Sequence, residues 1–150
     1  MFDIFWRSVA IGIGATVLMD IWAIVLAKAT GGPLPNWAPV GKVFHDDIGT
    51  AVPCDHELAL GWIGHYAVGI VYGILLVLLV GPGWLAEPTF LPAWIWAIVT
   101  VGAGWFLLQP GLGIGWAASK TPNPNKVRFL NLVAHTIFGF GLYATALLIR

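Results

Sequence analysis

Charge is what this sequence lacks most. Only 9% of its 150 residues are Asp, Glu, Lys or Arg, and the two signs cancel to a formal net charge of zero. Without a basic stripe to neutralise phosphates, nucleic acid is excluded as a partner. Cysteine is nearly absent as well. The single Cys54 excludes an intrachain disulfide and any metal site made from cysteine alone. Also missing are a glycine-flanked serine elbow, a glycine-rich phosphate loop and a zinc-protease helix with paired histidines. No catalytic residue is predicted, and the residues point to binding more than to catalysis.

What is abundant is apolar surface. The chain is 59% hydrophobic and contains nine tryptophans, well outside the range of soluble domains. A bilayer core of about 30 Å takes roughly 20 helical residues to cross. Four runs meet that length, residues 8–27, 58–80, 91–109 and 127–149. Lipid leaves backbone groups no external partner, and the runs lack the alternation of barrel strands, so they are read as helices. The expected fold is all-α: one polytopic membrane domain, residues 1–150, built as a four-helix bundle. Ala27 and Ala29 around Lys28 faintly resemble a signal-peptidase site, but the preceding apolar run is too long and holds Asp20, so the first span is expected to be retained.

The third span is expected to be kinked or broken near Pro110. After it, "PGLGIGWAAS" stays apolar and glycine-rich until Lys120, which fits a kinked extension, a re-entrant segment or an interfacial turn. Trp6, Trp62, Trp84 and Trp94 near span ends fit an interfacial belt. Lys28, Lys42, Lys120, Lys126 and Arg128 fall in or beside loops 29–57 and 110–126, whereas Arg7 and Arg150 flank the termini. By the positive-inside rule those loops are expected in the cytoplasm and both termini outside, in the periplasm of a bacterial inner membrane.

Residues four apart stack on one helix face, so each span can be asked which side is unlike lipid. Gly12, Thr16 and Asp20 answer for the first span, and Gly61, His65, Gly69 and Gly73 for the second. Gly102 and Gln109 answer for the third, and Asn131, His135, Gly139 and Tyr143 for the fourth. Small residues let helices approach and polar ones bond across the contact, so these faces are expected to turn inward. Asp20, His65 and His135 each lie seven or eight residues from a loop-side charge, about 10–12 Å below that surface. An intramembrane polar cluster of Asp20, His65, Gln109, Asn131 and His135 follows. An isolated Asp at such depth costs a few kcal/mol or more, so His65 or His135 is expected to balance Asp20. A faint repeat accompanies this pattern: "HYAVGIVYG" from His65 and "HTIFGFGLY" from His135 both place Gly four residues after His.

Several functions fit these residues. A site for a proton, ion or small polar ligand uses the cluster directly, with no cofactor. Haem b would use His65 and His135, which sit at similar depth with glycine one turn away. A divalent metal would use the first loop, where "HDD" and "CDHE" gather His45, Asp46, Asp47, Cys54, Asp55, His56 and Glu57; the strongest candidates there are His45, Asp46, His56 and Glu57, although the spacing matches no standard zinc site. A hydrogen-bond network that only fixes packing is the plain alternative. Besides the lipid bilayer, a second copy of the chain or a larger membrane complex, such as one carrying pigment or haem, would suit the Trp- and Gly-rich faces.

The segments "GIGATVLMD", "GWIGHYAVGIVYG", "LLQPGLGIGWAASKTPNP" and "AHTIFGFGLY" together resemble a family of small bacterial membrane proteins of unknown function, distantly similar to the YagU-like inner-membrane proteins. The resemblance runs from Gly12 to Tyr143 and is most specific from Gln109 through Pro124. It implies a bacterial inner-membrane location and four helices, and it brings no reaction and no catalytic residue. The chain departs from that pattern before Phe106, where a proline often stands and this sequence has Gly104 and Trp105.

Overall fold

The computed structural model describes residues 2–48 and 56–150, with side chains described throughout except at 44–48. Four helices are long and apolar enough to cross a membrane: α1 (Phe2–Thr30), α3 (Glu57–Val80), α4 (Phe90–Gly111) and α5 (Pro124–Leu148). A shorter helix, α2 (Ala38–Ile48), lies between the first two, and the described residues contain no strand. The fold is therefore an all-α four-helix bundle with one added loop helix.

The ends of these helices follow from local chemistry. At 29 residues α1 is about 44 Å long, more than a bilayer core, so its polar ends emerge. Asp3 in its first turn and Lys28 in its last complement the helix dipole. Gly81 ends α3 with a positive φ of 96°, and Pro82 follows in a short 3-10 turn. Proline opens α5 at Pro124, where Asn123 accepts a hydrogen bond from the Lys126 amide at 3.2 Å.

Helix α4 runs through Pro110 instead of stopping there. One turn earlier, Gly104–Leu108 forms a π turn in which the Gln109 amide bonds back five residues to the Gly104 carbonyl. Pro110 has no amide hydrogen to give to the preceding turn, and the widened turn absorbs the mismatch. The irregularity expected near Pro110 is thus present, centred a few residues before the proline.

The bundle closes through small residues. On α1, Ser8, Gly12 and Thr16 face Gly73 and Gly69 of the antiparallel α3, and a methyl group on Gly73 would stand 2.7 Å from the Gly12 amide nitrogen. Ser8 and Thr16 donate to carbonyls in their own helix, Ile4 at 2.7 Å and Gly12 at 2.8 Å, so neither hydroxyl is stranded in the contact. Gly141 on α5 meets Ala15, and Gly139 meets Ala97 and Trp94 on α4. Such close approaches supply packing where lipid offers no hydrophobic driving force. Ile11, Leu76, Phe138 and Leu142 fill the centre.

One seam stays open. Helix α1 packs along α3 and α5, and α5 along α4, but α3 and α4 barely touch although they are consecutive spans. At the terminal end a turn bridges them: Trp84 and Leu85 are buried there, and the Arg7 guanidinium donates to the Leu85 carbonyl at 2.8 Å. Towards the loop side the two helices part.

Candidate functional site in the open seam

A cavity of about 470 Å³ occupies that gap, within the usual size range of small-molecule sites. Its wall is mostly apolar, with Met19, Val40, Leu108 and Phe138 among its members, and its polar side chains include Thr16, His65, Thr100 and His135 together with the indole of Trp37 and the phenol of Tyr72. Two further lining residues, Val68 on α3 and Leu107 on α4, are 45% and 76% exposed. Both side chains are exposed, so the cavity is open along this seam between the two helices.

Asp20 is balanced by His65. Oδ1 of Asp20 lies 2.9 Å from Nε2 of His65, and Oδ2 accepts the Tyr66 hydroxyl at 3.0 Å, so each carboxyl oxygen has a partner. Side chains lean toward the N-terminal end of their own helix, and in an antiparallel pair that brings Asp20 and His65 toward one another. The far face of the imidazole is covered by Trp37, stacked at a centroid distance of 3.8 Å and 19° between planes, with Trp62 set edge-on. Two glycines bring Trp37 there: a methyl on Gly61 would overlap the Trp37 carbonyl, and one on Gly41 would overlap the Glu57 carbonyl. That carbonyl of Trp37 also receives the Val40 and Gly41 amides at 3.0 and 3.1 Å, which starts α2.

His135 stands on another wall of the cavity with different partners. Its Nδ1 lies 2.9 Å from the Ala97 carbonyl and 3.1 Å from the Thr100 hydroxyl. A third group sits to one side: Asn131 Oδ1 accepts from Trp105 Nε1 and from Gln109 Nε2, each at 3.0 Å. Gln109 is 7% exposed, and its Oε1 has no partner among the described residues. The five residues expected as one cluster therefore lie in three bonded groups. The Asp20 and His135 groups face a shared cavity, and the Asn131 group lies outside its lining.

Sequence reasoning did not single out Tyr66, Trp37, Thr100 or Trp105. Tyr66 is next to His65, and neighbours in a helix point about 100° apart, so a stripe of every fourth residue passes it by. Of the first-loop candidates, the side chains of His45, Asp46 and Asp47 lie outside the described residues, as do Cys54 and Asp55 entirely. His56 is exposed and Glu57 half-buried, and no three His, Cys, Asp or Glu side chains gather among the described residues.

A bundle of four helices long and apolar enough to cross a membrane, with a cavity in one seam, defines a small multi-pass membrane protein. Residues 9–149 match the model of a protein family of unknown function, DUF2938, and the chain belongs to that family. No curated protein and no solved structure matches it.

Proposed function

We propose that this protein binds a small lipid-soluble molecule, taken from the bilayer through the seam between α3 and α4. The observation that carries the reading is the mouth: a cavity of about 470 Å³ reached past the lipid-facing Val68 and Leu107. A purely polar ligand or bare ion would meet a mostly apolar wall there and lose hydration without replacement. The proton, ion or polar ligand suggested by the stripe of Asp20 and His65 is better read as the polar head of a larger apolar molecule. His65, held by Asp20 and Trp37, and His135, held by Ala97 and Thr100, are the groups that meet this head.

The test uses the protein in lipid nanodiscs with dodecan-1-ol as probe, read as a rise in melting temperature. Gly104 lines the cavity, has helical backbone angles and has open space where a side chain would grow. Gly104→Leu fills that space. The wild type should be stabilised by the probe and the variant should not; equal responses would refute the proposal.

A second reading, haem b, is favoured by one observation: His65 and His135 line the same cavity. Its check is an absorption spectrum of purified protein, oxidised and reduced, where a Soret band lost in both His65→Ala and His135→Ala would replace the first reading. We further propose a bacterial inner-membrane location with residues 29–57 and 110–126 in the cytoplasm. Five basic residues at the loops against Arg7 and Arg150 near the termini support that orientation.

A further inference from the structure

The hydrogen positions in the cavity wall can be worked out from its bonds, and they differ between the two histidines. The Thr100 hydroxyl donates to the Ala97 carbonyl at 2.7 Å, which uses its only hydrogen. A carbonyl can only accept, so the hydrogen between Ala97 and His135 belongs to Nδ1, which shares it with Thr100 Oγ1. No carboxylate bonds to this ring among the described residues, and a neutral imidazole is the form that apolar surroundings favour. With Nδ1 protonated, Nε2 of His135 presents a lone pair.

His65 is the opposite case. A buried acid and base in a bilayer cost least as a net-neutral unit. With the Tyr66 hydroxyl donating to Oδ2, two arrangements satisfy this: an imidazolium beside a carboxylate, or a neutral imidazole accepting from a carboxyl protonated on Oδ1. In both, one hydrogen lies between Nε2 and Oδ1 of Asp20, and Nδ1 carries the other. Nδ1 of His65 is therefore a donor whichever way the shared proton sits. The Trp37 face against the ring suits an imidazolium as well.

Neither of these two nitrogens has a hydrogen-bond partner among the described residues. Both rings line the cavity, and neither nitrogen is among the buried side-chain atoms without a partner there, which are Arg7 Nε, Trp37 Nε1 and Gln109 Oε1. One wall of the cavity offers a donor and another an acceptor. The Trp37 indole, from another lining residue, has a buried N–H with no partner among the described residues.

Resting on the binding site proposed above, we infer that its ligand is a hydroxyl-bearing lipid-soluble molecule: an oxygen of the head accepts from His65 Nδ1, and a hydroxyl hydrogen goes to His135 Nε2. A bare hydrocarbon leaves both groups unsatisfied. An ether or ester satisfies the donor and leaves the His135 lone pair facing a group that cannot give a hydrogen, a mismatch that sites built for hydroxyls reject.

The experiment compares dodecan-1-ol, dodecyl methyl ether and dodecane on the protein in nanodiscs, with affinity taken from probe-dependent shifts in melting temperature. The alcohol should bind about tenfold more tightly than the ether, the ratio that one hydrogen bond of about 1.4 kcal/mol gives. In His135→Asn the side-chain amide can still donate to the Ala97 carbonyl while the Nε2 acceptor is gone, so the alcohol-to-ether ratio should fall towards one. Equal affinity of alcohol and ether for the wild type would overturn the inference without needing any variant, as would an unchanged ratio in a folded His135→Asn. If all three probes bind alike and Gly104→Leu blocks them all, the cavity reading stands and the hydroxyl reading fails. If none binds, the cavity reading itself fails.

Discussion

Asp20 on α1 and His65 on α3 share a contact of 2.9 Å, with Tyr66 holding the second carboxyl oxygen from the same helix. The pair therefore ties the two spans together beyond the glycine crossing. Removing His65 leaves Asp20 Oδ1 without its partner, and removing Asp20 leaves both His65 Nε2 and the Tyr66 hydroxyl without theirs. Asp20→Ala and His65→Ala should each destabilise the fold by about 3 kcal/mol, and the double variant by much less than the sum. Unfolding titrations in mixed detergent would give the cycle, and a coupling below about 0.5 kcal/mol would show that the contact does not hold the helices.

Two glycines give a contrasting pair. A methyl on Gly69 would run into the Thr16 hydroxyl at the α1–α3 crossing, whereas one on Gly104 would meet nothing. Gly69→Ala should cost roughly 1–3 kcal/mol through overpacking. Gly104→Ala should be neutral or stabilising by up to about 1 kcal/mol, because alanine loses less backbone freedom in a helix. The same titration distinguishes them by sign.

The connection after α4 carries backbone strain. Ala117 and Ala118 adopt positive φ values of 45° and 59°, a region that alanine enters at a cost of about 1–2 kcal/mol. Arg128 reaches back to pin this turn by donating to the Ala117 carbonyl at 2.8 Å. Ala118→Gly should raise stability by about 1 kcal/mol. A loss instead would mean that the alanine methyl, fully buried, contributes more in packing than its conformation costs.

Trp37 covers the imidazole of His65 and contributes to the cavity wall. Trp37→Leu should keep the Asp20 contact and remove the aromatic face. The expected result is a fold within about 1 kcal/mol of wild type and several-fold weaker binding of dodecan-1-ol, checked by the melting shift. Unchanged binding would take Trp37 out of the site.

Cys54 is the chain's one cysteine and lies in the first loop of the sequence. With that loop in the cytoplasm, a membrane-impermeant maleimide should label Cys54 only after cells are opened. Labelling of intact cells would reverse the orientation.

Much of the fold could be read from where polar and small residues interrupt apolar runs. Gly12, Thr16 and Asp20 on one helix and Gly61, His65, Gly69 and Gly73 on the next have helical spacing, and Gly12, Gly69 and Gly73 meet at the crossing while Asp20 meets His65. Other features have no such period. Gly102 and Gln109, seven apart, were expected on one face, but the π turn inserts an extra residue's worth of rotation between them. Gln109 ends up buried against Asn131, while a methyl on Gly102 would approach only the Phe106 ring. Trp37 sits in a segment with three prolines nearby that reads as linker, and only its backbone fit to Gly61 brings it over His65. The open seam was likewise invisible, because consecutive antiparallel helices ordinarily pack together.

A mouth that opens sideways into lipid, as proposed above, also decides what concentration means for this protein. A molecule entering past Val68 and Leu107 comes from the hydrocarbon, so occupancy follows its mole fraction in the membrane and not its amount in the surrounding water. Diluting the buffer would leave a strongly partitioning molecule nearly as bound as before, whereas adding empty vesicles would draw it out. Growth of the membrane around a fixed number of protein copies would have the same effect as a competitor.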